Sequence, residues 1–342
     1  MKLKHIHIDK YKVFKDFDID FCLGDEPQNL IVITGINGNG KTTLFRDIIS
    51  GIHTADKPRS IITVQDNRSI STFTLPMQSE DERYTKYFSK IRFYPTHTNI
   101  SVKQLQKEIL RYVDKFVYEK GKTSFEAYAE IQSLIDTIFN GFNLQIRFKG
   151  ISQDKKLIFV NTLKEEFGIE GLSNGEQQIL SKVFVLFTEE MKGSVILIDE
   201  PETSLHPAWQ TRILTVLRHC AESNDCQIMV ATQSPQIIAS AYKEEIRSFV
   251  RNDEGYVKVM TCNNSPYGWT VEKVLMEIQG VQYLRVPEVE DKLTELKELI
   301  WENKYDSDEY KQKLAEMEET LGFSDPALML IRMEAIRKRK EA

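Results

Sequence analysis

The sequence predicts an α/β protein built on a mostly parallel sheet, with an antiparallel β region at the N-terminus, a short helical insertion and a helical appendage at the C-terminus. Three observations carry this. Largely apolar, strand-length runs at 30–33, 194–198 and 227–232 are separated by helix-length segments, and strands this apolar are covered on both faces, as in a parallel sheet. Residues 3–8 and 17–21 instead alternate apolar and polar side chains, as strands with one wet face do. Between 101 and 142, and again beyond 271, the apolar period lengthens from two to about 3.6.

Residues 1–34 read as strand, turn, strand, strand. Leu30-Ile31-Val32-Ile33 stops at Thr34, where glycines begin, and 42–51 follow a helical pattern. The stretch 59–94 reads as further strands, clearest at Ile61-Ile62-Thr63-Val64 and Lys90-Ile91-Arg92-Phe93-Tyr94, and Pro95 closes it. Val102, Leu105, Ile109, Tyr112 and Val113 share one helical face; Phe125, Tyr128, Ile131, Leu134, Ile135 and Ile138 repeat it after a break at Gly121. Two amphipathic helices are therefore inserted between β segments. Strands return at 144–148 and 156–161, followed by a helix over 174–191, a strand over 194–198, a helix over 208–220 and a strand over 227–232. In the tail, Val289, Leu293, Leu296 and Ile300 lie on one face, as do Tyr310, Leu314, Met317 and Leu321. Pro287 and Pro326 stand at helix starts and Gly322 at a helix stop. The expected organisation is 1–100, 101–142 as the insertion, 143–270, and 271–342 as a helical interaction region.

The 342 residues, 41% hydrophobic and 28% charged, exclude a disordered or collagen-like chain. No apolar run approaches the ~18 residues of a membrane span, and the N-terminal alternation is a strand's and not a signal peptide's. Cys22, Cys220, Cys226 and Cys262 form no metal-ligand spacing and read as free thiols, so a cytoplasmic location is expected. The net charge of −6 argues against a protein that coats nucleic acid. That charge is local, however. Residues 287–325 carry 13 acids and 5 bases, whereas the remainder is near neutral, and Arg337-Lys338-Arg339-Lys340 closes the chain with a basic cluster that reads as a solvated end.

Gly35-Ile36-Asn37-Gly38-Asn39-Gly40-Lys41-Thr42 fits GxxxxGK[ST] in the context that gives the pattern meaning, after an apolar strand and before a helix. Glycines let backbone N–H groups turn onto phosphates, and the helix N-terminus adds positive potential. Asn37, Gly38, Asn39, Gly40, Lys41, Thr42 and Thr43 are thus the expected ATP-binding positions, with Lys41 on the β and γ phosphates and the Thr42 hydroxyl on Mg²⁺. The strand over 194–198 ends in Asp199-Glu200, which places Asp199 to support Mg²⁺ and Glu200 to act on the attacking water.

Three further segments resemble the ABC-type ATPases, and their RecF/SMC-like and OLD-like branch more closely than the transporters. Leu172-Ser173-Asn174-Gly175-Glu176-Gln177-Gln178 is similar to that family's signature loop; by itself it also reads as a helix N-cap. The resemblance implies that Ser173, Gly175 and Glu176 meet the nucleotide of an opposite subunit, hence a head-to-tail homodimer or a higher oligomer built from dimers. Asp199-Glu200-Pro201-Glu202-Thr203-Ser204-Leu205-His206-Pro207 is similar to the DEPE-x-SLHP stretch of this branch, where transporters carry an SALD-type sequence. Val230-Ala231-Thr232-Gln233-Ser234-Pro235 resembles the ATHSP switch, with Gln233 in the histidine's place. An amide can hydrogen-bond phosphate or water but takes no proton, so slow or partner-dependent turnover is expected.

Tyr11-Lys12-Val13-Phe14 resembles a segment that borders the nucleotide in this family, and Gln65 is a candidate for its Q-loop. The helices at 101–142 stand where long coiled coils leave SMC-like heads, but ~40 residues allow only a short hairpin. The tail, from Gly268-Trp269-Thr270-Val271 through Gly280 and Arg285-Val286-Pro287-Glu288-Val289, resembles ATPases encoded beside an HNH nuclease in Septu-type antiphage defence systems. No HNH-type cluster exists among the six His, so if DNA is cut another subunit cuts it. The reading is an ATPase whose head closure senses DNA or controls a partner nuclease. The alternatives are a RecF-like repair ATPase acting directly on DNA and a nucleotide-locked scaffold with little turnover; a transporter subunit is disfavoured.

Overall fold

The computed structural model describes residues 1–51, 59–66, 69–75, 82–96, 101–188 and 191–341. They form two compact units, Met1–Gln279 and Gly280–Ala342. The first unit begins with β1 (Lys2–Tyr11), β2 (Phe14–Asp20), the short pair β3 (Cys22–Leu23) and β4 (Glu26–Pro27), and β5 (Leu30–Thr34). Helix α1 (Lys41–Thr43) continues as a π-helical stretch, Leu44–Ile49. Then come β6 (Ser60–Asp66), β7 (Ser69–Leu75), α2 (Glu82–Phe88), β8 (Ile91–Tyr94), α3 (Val102–Tyr118) and α4 (Ser124–Gly141). They are followed by β9 (Ile146–Ile151), β10 (Leu157–Asn161), β11 (Glu166–Gly168), α5 (Asn174–Thr188), β12 (Val195–Asp199), α6 (Pro207–Ser223) and β13 (Gln227–Thr232). The unit closes with α7 (Pro235–Ile238), β14 (Ile246–Arg251), β15 (Val257–Met260) and α8 (Val271–Glu277).

The central sheet has the order β15-β14-β5-β13-β12-β8, parallel except where β14 meets β15. Its inner strands β5, β13 and β12 are buried along their whole length because both faces are covered. Leu30 and Val32 of β5 join a core with α3, α4, α5 and α6, while Ile31 and Ile33 join a second core with Leu3, Ile6, Ile8, Phe14 and Phe17. Those last residues belong to the antiparallel sheet β2-β1-β6-β7, which explains the alternation in the sequence: one face packs and the other is wet. A third sheet, β11-β10-β9, adjoins the helical insertion, where Gln132 of α4 donates to the Phe148 carbonyl of β9 at 3.1 Å. Both inserted helices start at reciprocal caps, Ser101 with Gln104 and Thr123 with Glu126.

Several elements depart from the sequence expectation. Within the stretch read as strands, 82–88 is a helix whose Tyr87 is buried against Phe73 and Phe88. β9 starts at Ile146 and not at Leu144, because the Leu144 N–H donates back to Phe139 and Asn143 adopts a left-handed turn (φ 56°) that closes α4. Strands β11, β14 and β15 were not expected. The expected end of the helix over 174–191 crosses residues 189–190, and the expected boundary at 100 falls in 97–100; both lie outside the described residues.

The second unit contains α9 (Pro287–Trp301), α10 (Asp308–Leu321) and α11 (Pro326–Glu341). Leu293, Leu296, Ile300, Tyr310, Met317, Leu328 and Ile331 form its core, with Val289, Leu314 and Leu321 packed against them. The helical period of the tail is thus the face of a three-helix cluster. Arg285 to Asp325 (2.8 Å) and Arg339 to Asp306 (2.6 Å) tie its ends. Among the described residues no helix is long and apolar enough to cross a membrane.

Candidate functional site

The site lies at the carboxyl ends of β5, β12 and β13, where parallel strands release their loops on one edge. The loop after β5 is held tightly. At Gly40 (φ 82°) an added Cβ would stand 2.7 Å from both Phe14 and Val13, so neither the backbone nor the space admits a side chain. Asn39, 2% exposed, donates to the Phe249 carbonyl at 2.8 Å. Arg251 of β14 donates to the Asn39 side chain (3.2 Å) and to the Gly38 carbonyl (3.0 Å). The loop's shape is therefore imposed from β14, and Arg251 is a residue that no local motif marked. Tyr11 and Lys12 both bind Asp47 of the π-helical stretch, while Val13 and Phe14 stand against Gly40 of the loop.

Lys41, only 6% exposed, folds its ammonium onto the carbonyls of Gly35 (2.6 Å) and Ile36 (3.2 Å). Burial lowers its pKa, and the charges of Glu200 and Asp199 partly restore it. The exposed Thr42 donates its hydroxyl to Asp199 Oδ2 at 2.7 Å; Thr43 follows, half-buried. Asp199 is buried, which pushes its carboxyl up, and the Thr42 hydroxyl pulls it back. Its other oxygen, Oδ1, is buried without a hydrogen-bond partner. An orphaned carboxylate oxygen beside a hydroxyl is a pair of hard donors, and these residues fit Mg²⁺.

Glu200 follows β12 in a left-handed conformation (φ 48°) with its N–H donated to Ala231 of β13, which turns its side chain out of the sheet. Gln233 meets it there: the Gln233 amide donates to Glu200 Oε1 at 3.2 Å and to Asn37 Oδ1 of the phosphate loop at 2.6 Å. Glu202 organises the switch from beneath, its Oε1 accepting from the Thr232 hydroxyl (2.8 Å) and from the N–H groups of Gln233 (2.9 Å) and Ser234 (3.2 Å). Burial pushes the Glu202 carboxyl up, and the Gln233 N–H and the Thr232 hydroxyl oppose that shift. The sequence marked Glu202 only as part of a motif; its partners lie 30 or more positions away.

The structure therefore brings Asn37, Lys41, Thr42, Asp199, Glu200 and Gln233 together. It does not bring Ser173, Gly175 and Glu176 to them: among the described residues no hydrogen bond joins 173–176 to 35–43 or 199–200. Exposed Ser173 and half-buried Glu176 form a reciprocal cap at the start of α5, at 2.7 and 3.3 Å. Further along the helix, Lys182 reaches the carbonyls of Pro201 and Thr203 and links α5 to the loop after Glu200. An added Cβ at Gly175 would stand 2.2 Å from the Trp209 ring. Gly175→Ala is accordingly expected to lower stability by about 1–3 kcal/mol through overpacking, read as a lower thermal midpoint that Trp209→Phe partly restores. Gln65 sits elsewhere, in β6, with its amide 3.4 Å from Glu26.

Fold and site together define an ATPase of the ABC and SMC-like P-loop class. The chain belongs to the family described as "AAA domain, putative AbiEii toxin, Type IV TA system", which matches residues 30–239. It is 26% identical over 212 residues to the Septu protein PtuA of Bacillus thuringiensis, covering 57% of this chain and 51% of that protein. It is 28% identical over 149 residues to the "Retron Ec83 probable ATPase" of Escherichia coli, covering 42% of this chain and 26% of that one. The match thus spans about half of one relative and a quarter of the other. In fold, it is similar to the SMC head domain from Thermotoga maritima (TM-score 0.50, 15% identity, 77% of this chain and 100% of that one). A similar likeness holds to an SMC head bound to the C-terminal winged-helix domain of ScpA (TM-score 0.52, 15% identity, 77% and 98%).

Proposed function

We propose that this chain is a Mg²⁺-dependent, cytoplasmic ATPase head that closes head-to-tail on a second copy, and that its ATP cycle governs a partner nuclease, of HNH type and acting on DNA, in antiphage defence. The observation that carries the catalytic part is the convergence of Thr42, Asp199, Glu200 and Gln233 beside the phosphate loop. Lys41 exchanges the carbonyls of Gly35 and Ile36 for phosphate oxygens, a stronger pairing for a half-desolvated ammonium. The Thr42 hydroxyl and the free Asp199 oxygen hold the cation, which neutralises charge on the phosphates when bound. Glu200 accepts the proton of the attacking water, and Gln233 orients that water through its amide. The defence setting and the nuclease rest on the likeness to a Septu protein.

Exposed Ser173, which stands at the N-terminus of α5 and makes no hydrogen bond to its own phosphate loop among the described residues, supports action on the nucleotide of the second copy. The test is complementation. Lys41→Ala and Ser173→Arg proteins are each expected to be inactive, and mixing them restores about a quarter of the unmodified rate, since half the dimers then carry one intact composite site. A mixture no more active than its components would defeat the head-to-tail arrangement. A second reading, a scaffold held by ATP with little turnover, is favoured by Gln233, which takes no proton. Turnover that rises in a Gln233→His protein supports a brake at this position, and unchanged turnover removes it.

A further inference from the structure

The main chain of Gln233 is held from two sides. Its N–H donates to Glu202 Oε1, and its carbonyl accepts a 2.7 Å hydrogen bond from the side-chain amide of Gln279. Gln279 lies 46 positions away, just beyond α8, and is the last residue of the first unit. It is itself anchored: its N–H donates to Val274, and Val274 and Ile278 are buried in the core that contains Ile237 and Ile238 of α7. The segment around α8 touches the switch at a second point, where Gly268 N–H donates to the Ala239 carbonyl at 2.9 Å. These two hydrogen bonds bracket α7, the four-residue helix that begins after Gln233 and its neighbour, the N-cap Ser234. In front, the Gln233 side chain reaches Asn37 and Glu200.

We propose that Gln279 is a positioning residue for the ATPase reaction: by holding the Gln233 carbonyl it fixes the direction in which the Gln233 amide points, and so makes turnover depend on the seating of α8. The inference rests on the reading of Glu200 and Gln233 as the residues that handle the water. Its physical basis is short. The two peptide planes that flank the Gln233 Cα are each pinned, the preceding one through its N–H on Glu202 and the following one through its carbonyl under Gln279, and the side chain carried by that Cα inherits its orientation. Among the described residues Gln279 makes no hydrogen bond to the phosphate loop or to Glu200, so it acts through Gln233. Gln279 is followed directly by Gly280, the first residue of the C-terminal unit.

The test uses the full chain. Gln279→Ala, and Gln279→Glu, which keeps the size but removes the donor, are each expected to lower kcat about 3- to 10-fold with KM for ATP and the thermal midpoint unchanged. The double variant with Gln233→Ala is expected to be no slower than Gln233→Ala alone, because both changes remove one effect. Amide hydrogen exchange at 234–241 is expected to quicken in Gln279→Ala. Unchanged kcat, losses that multiply in the double variant, or a fall in thermal midpoint that accounts for the lost activity overturns the proposal. Glu200→Gln in parallel separates the two levels. If that protein hydrolyses ATP at the full rate, the reading of the site fails, and unaltered exchange at 234–241 then also rejects the positioning role.

Discussion

A Glu200→Gln protein is expected to bind ATP with unchanged affinity and to hydrolyse it about 10²- to 10⁴-fold more slowly, the range by which a positioned general base accelerates proton transfer. The substitution keeps the shape of the side chain and removes only its basicity. The Glu200 backbone bond to Ala231, which sets the left-handed turn, does not involve the side chain, so the local fold is expected to persist. Gln233 loses a charged acceptor at 3.2 Å but keeps Asn37 at 2.6 Å. Phosphate release under single turnover, read beside the binding of a fluorescent nucleotide, separates chemistry from affinity. A protein that still turns over at the unmodified rate would move the catalytic base away from Glu200.

The second large effect concerns binding. Lys41→Ala is expected to weaken ATP binding by about 10- to 100-fold, since a charge-assisted hydrogen bond is worth about 1.5–3 kcal/mol. Two features make Lys41 hard to replace. It is 6% exposed beneath the loop, and its ammonium already spans the Gly35 and Ile36 carbonyls. Lys41→Arg is therefore expected to bind no better than Lys41→Ala, because a planar, bulkier guanidinium does not fit where a compact ammonium is enclosed. Calorimetric titration with a non-hydrolysable ATP analogue measures both. Near-normal affinity in Lys41→Ala would show that the loop's N–H groups alone carry the phosphates.

The parts of this molecule that were legible in the sequence are those where the physics is local. Leu30 to Ile33 announces a doubly covered strand because each of its side chains must be buried, and the two cores it feeds are the direct outcome. The glycines at 35, 38 and 40 announce a loop whose backbone turns where side chains cannot go. The tail's apolar spacing returned as the face of a helical cluster. What escaped was set by distant partners. The short strand β11 exists only because β10 offers it an edge, and α2 is a helix because Tyr87 packs on Phe73 of another strand. Arg251, Glu202 and Gln279 look ordinary in the sequence, since each acts on a segment far along the chain.

By itself the sequence determined the kinds of group available for phosphate chemistry: a lysine and a threonine after a glycine loop, an acid pair ending one strand and a glutamine following another. It also determined that the strands carrying them would be buried. Only the tertiary structure decided which group meets which. The parallel register of β5, β13 and β12 brings Thr42 to Asp199 across 157 positions and sets Gln233 between Asn37 and Glu200. Ser173, by contrast, is exposed and occupied in capping α5, and among the described residues it makes no hydrogen bond to its own phosphate loop. The physical reason is that burial and turn preference act residue by residue, whereas a hydrogen bond across strand ends depends on how strands align, and that alignment is chosen by the packing of the whole core.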